Sequence, residues 1–356
     1  MTPLGLLLLA SVSPVAAQQA VPAPGAPAAT RPRPTPLPIA VDPKVAALRD
    51  KALVDEVAWE ITEGLTTEIG PRPAGGSAVQ ARAREWGVAR LKALGFRNVR
   101  IEPYDVPNAW ERGVETGEVI APFPQPLRLT ALGNSGATPA SGLIGEVAYF
   151  PTLNDLLLAP DSAVRGKVVF VSNAMQPTQD GSSYGSSGSA RFVGPNVAAK
   201  KGAVAIVIRS IGTDHSRGPH TGSTNFDAGV APIPAAALSV ADAENLQRMV
   251  ARGKPVSLRL VLTPRFVGRR ASGNVVAEVP GTDRDAGVVL IGGHLDSWEL
   301  GTGAIDDASG LGITTAAAKL VMDAGRPRRT IRVVWFGDEE IGGVGGEAYA
   351  RTHAGE

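Results

Sequence analysis

The sequence predicts an α/β fold with a β-rich domain inserted into it. Helical spacing of apolar residues precedes residue 96, short β-branched runs dominate residues 123–262, and a strand, helix, strand pattern follows. That last pattern is typical of parallel strands joined by a helix. We therefore expect one domain built from residues 41–122 and 263–356 and a second domain at 123–262.

Composition limits the classes of partner. The 356 residues carry a formal net charge of +1 without a basic block, so nothing favours nucleic acid or an anionic membrane as a partner. A small or neutral ligand is favoured instead. Cysteine is absent, which excludes disulfides and thiolate metal ligands.

The first 40 residues are expected to lie outside the folded domains. Residues 1–17 resemble a signal peptide, because a short apolar run, Leu4–Val12, precedes the small residues Val15, Ala16 and Ala17. The run is too short to span a bilayer. We expect export to the periplasm or the medium; the lack of Lys or Arg before the run leaves a cytosolic apolar tail as the alternative. Residues 18–40 are rich in Ala and Pro and predict an extended linker.

Two helices are predicted next. The first begins at Asp42-Pro43 and continues through apolar residues at helical spacing, namely Val54, Val57, Ile61 and Leu65. The second begins at Ser77, which forms a capping-box pattern with Gln80, and ends near Gly95. The Pro/Gly loop "IGPRPAGG" separates them.

Strands are predicted in the insert at "EVAYF", "KVVFV" and "AVAIVI". The polar segment "TQDGSSYGSSGSARFVGPNVAAKKG" lies between them and leads into a predicted helix, so we interpret it as a functional loop. His215 and His220 also fall in the insert. Contact with a substrate and ordinary loop polarity explain these two histidines equally well.

The strand, helix, strand pattern brings polar residues to one edge of a sheet. Its strands, Val288–Ile291 and Ile331–Phe336, are continuously apolar and predict burial on both faces. Ligands bind outside the carboxyl ends of such strands. Those ends are followed by His294 and Asp296 and by Asp338, Glu339 and Glu340, while Asp306 and Asp307 precede the helix between the strands.

These residue types suit a zinc centre. His294 offers a neutral nitrogen, Asp306 can bridge two cations, and Glu340 can complete the ligand shell of a second metal. Glu339 is placed to act as a base, and Asp296 could accept the proton on the other ring nitrogen of His294. Each motif alone has a structural explanation: a lone histidine is often structural, "DEE" can stabilise a helix dipole and "DDASG" can cap a helix. Their joint occurrence around one βαβ unit favours the metal site. Trp298 is expected to pack, and His353 to end a helix.

Two stretches of the sequence resemble a known family. "GGHLDSWELGTGAIDDASG" and "WFGDEEIGGVGG" are similar to the metallopeptidase family of zinc aminopeptidases and glutamate carboxypeptidases, nearest to its plasma glutamate carboxypeptidase (carboxypeptidase Q) branch. "IGPRPAGG" and "VRGKVVFV" extend the likeness. The resemblance implies a three-layer α/β/α zinc-exopeptidase domain with an inserted protease-associated domain, acting on dipeptides or short peptides, and a homodimer.

Carried onto this sequence, the resemblance implies His294, Asp306 and Glu340 as ligands of two zinc ions. It further implies Glu339 as general acid/base, Asp296 as the residue that orients His294, and a cis peptide between Asp306 and Asp307. The family also uses a further aspartate and a second histidine, but the chain ends at Glu356 and His353 comes too early. We therefore expect a C-terminally truncated chain that binds zinc weakly and shows little activity.

Two other functions remain as alternatives. A non-catalytic binding protein on the same fold, as in receptor-like relatives, has no need of a base such as Glu339 beside the ligands. A single-zinc aminoacyl-transferring cyclase is disfavoured by the inserted domain, which such relatives lack.

Overall fold

The computed structural model describes residues 42–356, so the expected signal peptide and linker lie outside the described residues. The helices are α1 (Pro43–Ala52), α2 (Val57–Gly64), α3 (Ala78–Ala93), α4 (Leu153–Leu158), α5 (Asp161–Val164), α6 (Ser183–Phe192), α7 (Gly194–Lys200), α8 (Val240–Val250), α9 (Ser309–Asp323) and α10 (Val344–Thr352). The strands are β1 (Arg97–Glu111), β2 (Glu115–Ala121), β3 (Gln125–Leu127), β4 (Leu129–Ala131), β5 (Leu143–Phe150), β6 (Val168–Val171), β7 (Ala205–Arg209), β8 (Ala235–Leu238), β9 (Ser257–Leu262), β10 (Arg265–Val279), β11 (Val288–His294) and β12 (Thr330–Phe336). They form two sheets, which confirms the α/β class.

The first sheet has the order β1-β10-β12-β11 and carries the predicted βαβ unit. Strands β11 and β12 are parallel, with His294 opposite Phe336, and α9 connects them. Helices α2, α3 and α9 pack on one face around a core that includes Ile61, Leu91 and Trp335. Tyr349 of α10 packs on the other face. The three layers α/β/α are those that the resemblance implies.

Burial of β11 differs from the prediction. Strand β12 is buried along nearly all its length, as expected, but Val288 and Leu290 of β11 are 42% and 47% exposed. Apolar composition predicted burial on both faces for both strands. In the described part of the chain β11 is the last strand of its sheet, so its side chains have fewer neighbours than those of β12.

The predicted first helix is interrupted. Helix α1 ends at Ala52, a turn follows, and α2 begins at Val57. Val54, predicted on the buried stripe, is 82% exposed, whereas Ile61 is fully buried. The helical spacing of apolar residues continues across the turn between α1 and α2, so the spacing alone did not reveal the interruption. The second helix agrees better: the Ser77 hydroxyl accepts from the Gln80 N–H, and Gly95 has the positive φ of a helix stop.

The second sheet has eight strands in the order β3-β2-β9-β5-β6-β7-β8-β4, all from residues 115–262. The parallel strands β6 and β7 are its buried centre, with helices α4 and α7 contributing to the core on one side and α8 to the core on the other. Because β2 pairs with β9, a boundary at residue 123 would separate two hydrogen-bonded strands. We propose that the insert begins near residue 113 and ends near residue 264.

Candidate metal centre

Three segments at one edge of the first sheet bring His294, Asp306 and Glu340 together. Each offers one ligand atom, and the three atoms lie within 4.8 Å of one another. His294 ends β11, Glu340 lies in the turn after β12, and Asp306 lies in the turn that precedes α9. The His294 Nε2 atom is 2.9 Å from Asp306 Oδ1. The parallel register of the two strands creates this convergence.

The other ring nitrogen of His294 is held by the backbone carbonyl oxygen of Asp296. Nδ1 lies 3.0 Å from the Asp296 carbonyl oxygen and 3.7 Å from its carboxylate. The fully buried carboxylate instead accepts the backbone N–H groups of Glu339, at 3.1 Å, and Glu340, at 3.0 Å. Asp296 thus connects the segment after β11 to the turn that carries both glutamates.

Asp307 supports the same arrangement, a role that the sequence did not indicate. The peptide bond between Asp306 and Asp307 is cis, as the resemblance implies. The Asp307 carboxylate accepts the N–H of His294, at 3.0 Å, and that of Gly310, at 3.1 Å. A Cβ atom at Gly293 or Gly310 would overlap this carboxylate. The glycines around the acidic pair therefore provide the space that Asp307 occupies.

Asp338 fixes the turn that leads to the glutamates. Its φ is 60°, in the left-handed region that non-glycine residues adopt rarely. Its buried carboxylate accepts from Gly75 N, Gln80 Nε2 and Tyr104 Oη, at 2.6, 3.0 and 2.8 Å. Gln80 therefore serves Asp338 and does not complete the capping box that the sequence predicts. The backbone conformation is maintained because three separate segments hold this one side chain.

The electrostatics favour a cation. Burial alone would lower the pKa of His294, but Asp296, Asp306 and Glu339 raise it to about 11. Burial raises the pKa of Glu340 to about 8, and the carboxylates of Asp306 and Asp296 add to this effect. Burial also raises the pKa of Glu339. A cation bound among these carboxylates would offset their repulsion.

One imidazole nitrogen and two carboxylate oxygens are a ligand set that zinc accepts. The residues present therefore fit a divalent metal. Glu339 is not one of these three residues, and its Oε2 lies 3.9 Å from His294 Nε2. It stands beside the candidate ligands, where a base would be needed.

Helix α6 and the loop between β7 and β8 supply a wall opposite these residues. A cleft of about 300 Å³ has Asp306 and Glu340 on one side and Tyr184, Arg191 and His220 on the other. Tyr184 and Arg191 belong to the segment predicted as a functional loop, most of which forms α6 and α7. His220 lines the cleft, whereas the side chain of His215 is 67% exposed and lies near Glu244.

Arg191 and Trp298 contribute more than their sequence context suggests. Arg191 is 5% exposed, donates from Nη1 to Tyr184 Oη and to the Thr221 carbonyl oxygen, both at 3.0 Å, and has no partner for its buried Nε in the described part of the chain. Trp298 packs against the core of the second sheet, as expected, but also lines the cleft. Neither role could be predicted from the sequence, because both depend on contacts between residues that are far apart in the chain.

Comparison with known proteins identifies similar chains. The model of the family described as peptidase family M28 matches residues 274–356, which include the candidate ligands. Carboxypeptidase Q of Bos taurus is 37% identical over 291 residues, and that of Homo sapiens 36% identical over 290 residues. Each match covers 81% of this chain and 60% of the relative, so the chain spans about 60% of the length of these curated relatives.

Solved structures agree with these matches. A peptidase M28 precursor from Shewanella amazonensis is 46% identical, with a TM-score of 0.84, over 87% of this chain and 70% of that one. A zinc aminopeptidase from Bacillus subtilis shares the fold at 21% identity, with a TM-score of 0.59, over 83% of this chain and 64% of that one. Because the chain is 46% identical to the Shewanella amazonensis peptidase and covers 70% of it, the chain belongs to peptidase family M28.

Proposed function

We propose that the protein is a zinc-dependent exopeptidase of dipeptides or short peptides. The observation that carries this proposal is the convergence of His294, Asp306 and Glu340 within 4.8 Å, with Glu339 beside them. A solved structure of the same fold is named as a zinc aminopeptidase, which supports zinc as the metal. We propose two ions, for which His294, Asp306 and Glu340 would be ligands.

When bound, zinc supplies the Lewis acidity that activates water and polarises a carbonyl group. Glu339 acts as the general base that takes the proton from the water and passes it to the departing amine. Burial raises the pKa of Glu339, which brings this carboxylate closer to the pKa that suits proton transfer near neutral pH. Asp296 positions the Glu339 backbone through its hydrogen bond to the N–H.

The wall of the cleft suggests how a short peptide is held. Arg191 is almost fully buried, and it donates hydrogen bonds to a hydroxyl and to a carbonyl oxygen. Because neither acceptor is an anion, these bonds leave the positive charge of the guanidinium available to an anionic ligand. A carboxylate is the anion that every unmodified peptide carries, and arginine binds it well. We propose that Arg191 binds the free carboxylate of the substrate, which favours dipeptides over long chains.

Export and homodimer formation belong to the same proposal. Export rests on the N-terminal sequence, and the dimer rests on the resemblance. Within residues 42–356 no helix is sufficiently long and apolar to cross a membrane.

The test is to measure the zinc content and the dipeptide hydrolysis of the protein. We expect it to hold about two zinc ions and to hydrolyse dipeptides. A protein that binds no zinc and hydrolyses no dipeptide would favour a non-catalytic binding function on this fold.

A further inference from the structure

Arg72 occupies an unusual position in the "IGPRPAGG" loop. Its side chain is fully buried, and its guanidinium donates only to backbone carbonyl oxygens. Nε donates to Leu295 at 2.6 Å, Nη1 to Thr302 at 2.6 Å and Nη2 to Gly303 at 2.9 Å. Nη1 also donates to Gly70 at 3.0 Å and to Leu65 at 3.3 Å, both of which are close to Arg72 in the chain.

The three acceptors that lie far from Arg72 in the chain bracket the segment between two candidate ligands. Leu295 follows His294 directly, and Thr302 and Gly303 shortly precede Asp306. One planar guanidinium therefore joins the two ends of the segment 295–303. The backbone of Arg72 adds two hydrogen bonds to Ser297, at 3.0 and 2.9 Å.

The space around Arg72 is also specific. Gly303 has a φ of 61°, and a Cβ atom there would collide with Ser297 and with Arg72 Nη2. Arg332 differs, although it too is mostly buried, because it pairs with the Glu278 carboxylate at 2.8 Å. Burial lowers the pKa of Arg72 to about 10, against the opposing effect of Asp296 and Asp307. Burying a cation that contacts no carboxylate directly costs free energy. A role in ordering a functional loop would explain why such a residue is present.

We propose that Arg72 is a positioning residue, which holds the segment 295–303 so that His294 and Asp306 have ligand spacing before a metal arrives. This inference rests on the proposed metal site. Arg72 is fully buried and binds neither metal nor substrate. Its effect on affinity comes from a segment that is already ordered, so that metal binding does not have to order it.

The variant Arg72→Lys tests the proposal, because an ammonium keeps the charge but lacks the planar fork that reaches both ends of the segment. Zinc affinity is measured by competition with a chromophoric chelator, and hydrogen–deuterium exchange is measured on the metal-free protein. We expect zinc affinity to fall about 10- to 100-fold, the usual effect of losing a residue that supports a ligand. Amides of residues 295–303 should exchange faster.

Arg332→Lys is the matched control, a buried arginine that does not contact this segment. It should leave zinc affinity and exchange in 295–303 unchanged. If Arg72→Lys does not fold, Ser297→Ala removes the hydroxyl that accepts from Arg72 N–H, and it should lower zinc affinity by a smaller factor.

Unchanged affinity and exchange in Arg72→Lys would overturn the inference, as would equal effects of Arg72→Lys and Arg332→Lys. Unchanged zinc affinity in Ser297→Ala would do so if that variant is needed. A failure of the proposed function looks different: the wild-type protein would bind no zinc. Exchange in 295–303 would then still decide whether Arg72 holds the segment.

Discussion

His294 Nε2 lies 2.9 Å from Asp306 Oδ1, across the segment that separates them in the chain. Without a metal this contact is a hydrogen bond that favours the protonated imidazole, consistent with the raised pKa of His294. A metal ligand must be a neutral imidazole, so metal binding has to displace this proton. The arrangement therefore links metal binding to pH.

The stability of the metal-free protein should decrease as pH rises from about 6.5 to about 8. The pKa of His294 is raised from 6.5 to about 11 and that of Glu340 from 4.5 to about 8, so the folded state keeps protons that the unfolded state has released. Stability falls with pH wherever the folded state binds more protons. Calorimetry of the metal-free protein across this range measures the effect, and a higher Tm near pH 8 than near pH 6 would contradict it.

Glu339→Gln should abolish most turnover while zinc remains bound. The amide cannot accept the proton from water, and loss of a general base costs about 10²- to 10⁴-fold in kcat. Glu347→Gln is the control, since the side chain of Glu347 is 70% exposed on α10. Both variants are assayed for dipeptide hydrolysis and zinc content. Turnover equal to wild type in Glu339→Gln would remove Glu339 from the mechanism.

Arg191→Met should raise KM for dipeptides that carry a free carboxylate. Loss of a charge-assisted hydrogen bond of about 1.5–3 kcal/mol corresponds to roughly a 10- to 100-fold increase. Dipeptide amides lack the charged group and should show no comparable change. Arg165→Met, at a side chain that is 69% exposed, is the control. An equal increase for acids and amides would show that Arg191 does not recognise the carboxylate.

Gly310→Ala should destabilise the protein, although alanine usually stabilises a helix by about 0.5–1 kcal/mol relative to glycine. The new Cβ would overlap the Asp307 carboxylate, and such overpacking costs about 1–3 kcal/mol. Gly346→Ala in α10 is the control, because no atom lies within 4 Å of its Cβ position. Denaturant unfolding compares the two. Equal stabilisation by both substitutions would mean that Asp307 has room to move.

The sequence predicted those candidate ligands whose positions follow from where a strand or helix begins or ends. His294 and Glu340 could be placed together because parallel strands end at one edge, and Asp306 because it precedes the connecting helix. The orientation of Asp296 could not be predicted in the same way. Whether its carboxylate or its carbonyl faces His294 depends on the backbone N–H groups of the turn after β12.

Residues that act through tertiary contacts were beyond sequence reasoning. Arg72 and Asp338 each bind backbone or side-chain groups far away in the chain, and local periodicity carries no record of such partners. Arg191 lies in a polar segment that was predicted to be functional, but composition could not identify this particular residue. The exposure of Leu290 likewise depends on where β11 lies in its sheet and not on its apolar sequence.

Zinc titration of the protein and of His294→Ala tests the central claim, that His294, Asp306 and Glu340 form a metal centre. His215→Ala is the matched control, a histidine with a 67% exposed side chain. We expect His294→Ala to weaken zinc binding by more than about 100-fold, beyond the roughly 10- to 100-fold effect of supporting residues, and His215→Ala to bind zinc like the wild type. Equal zinc affinity in the wild type and in His294→Ala would contradict it.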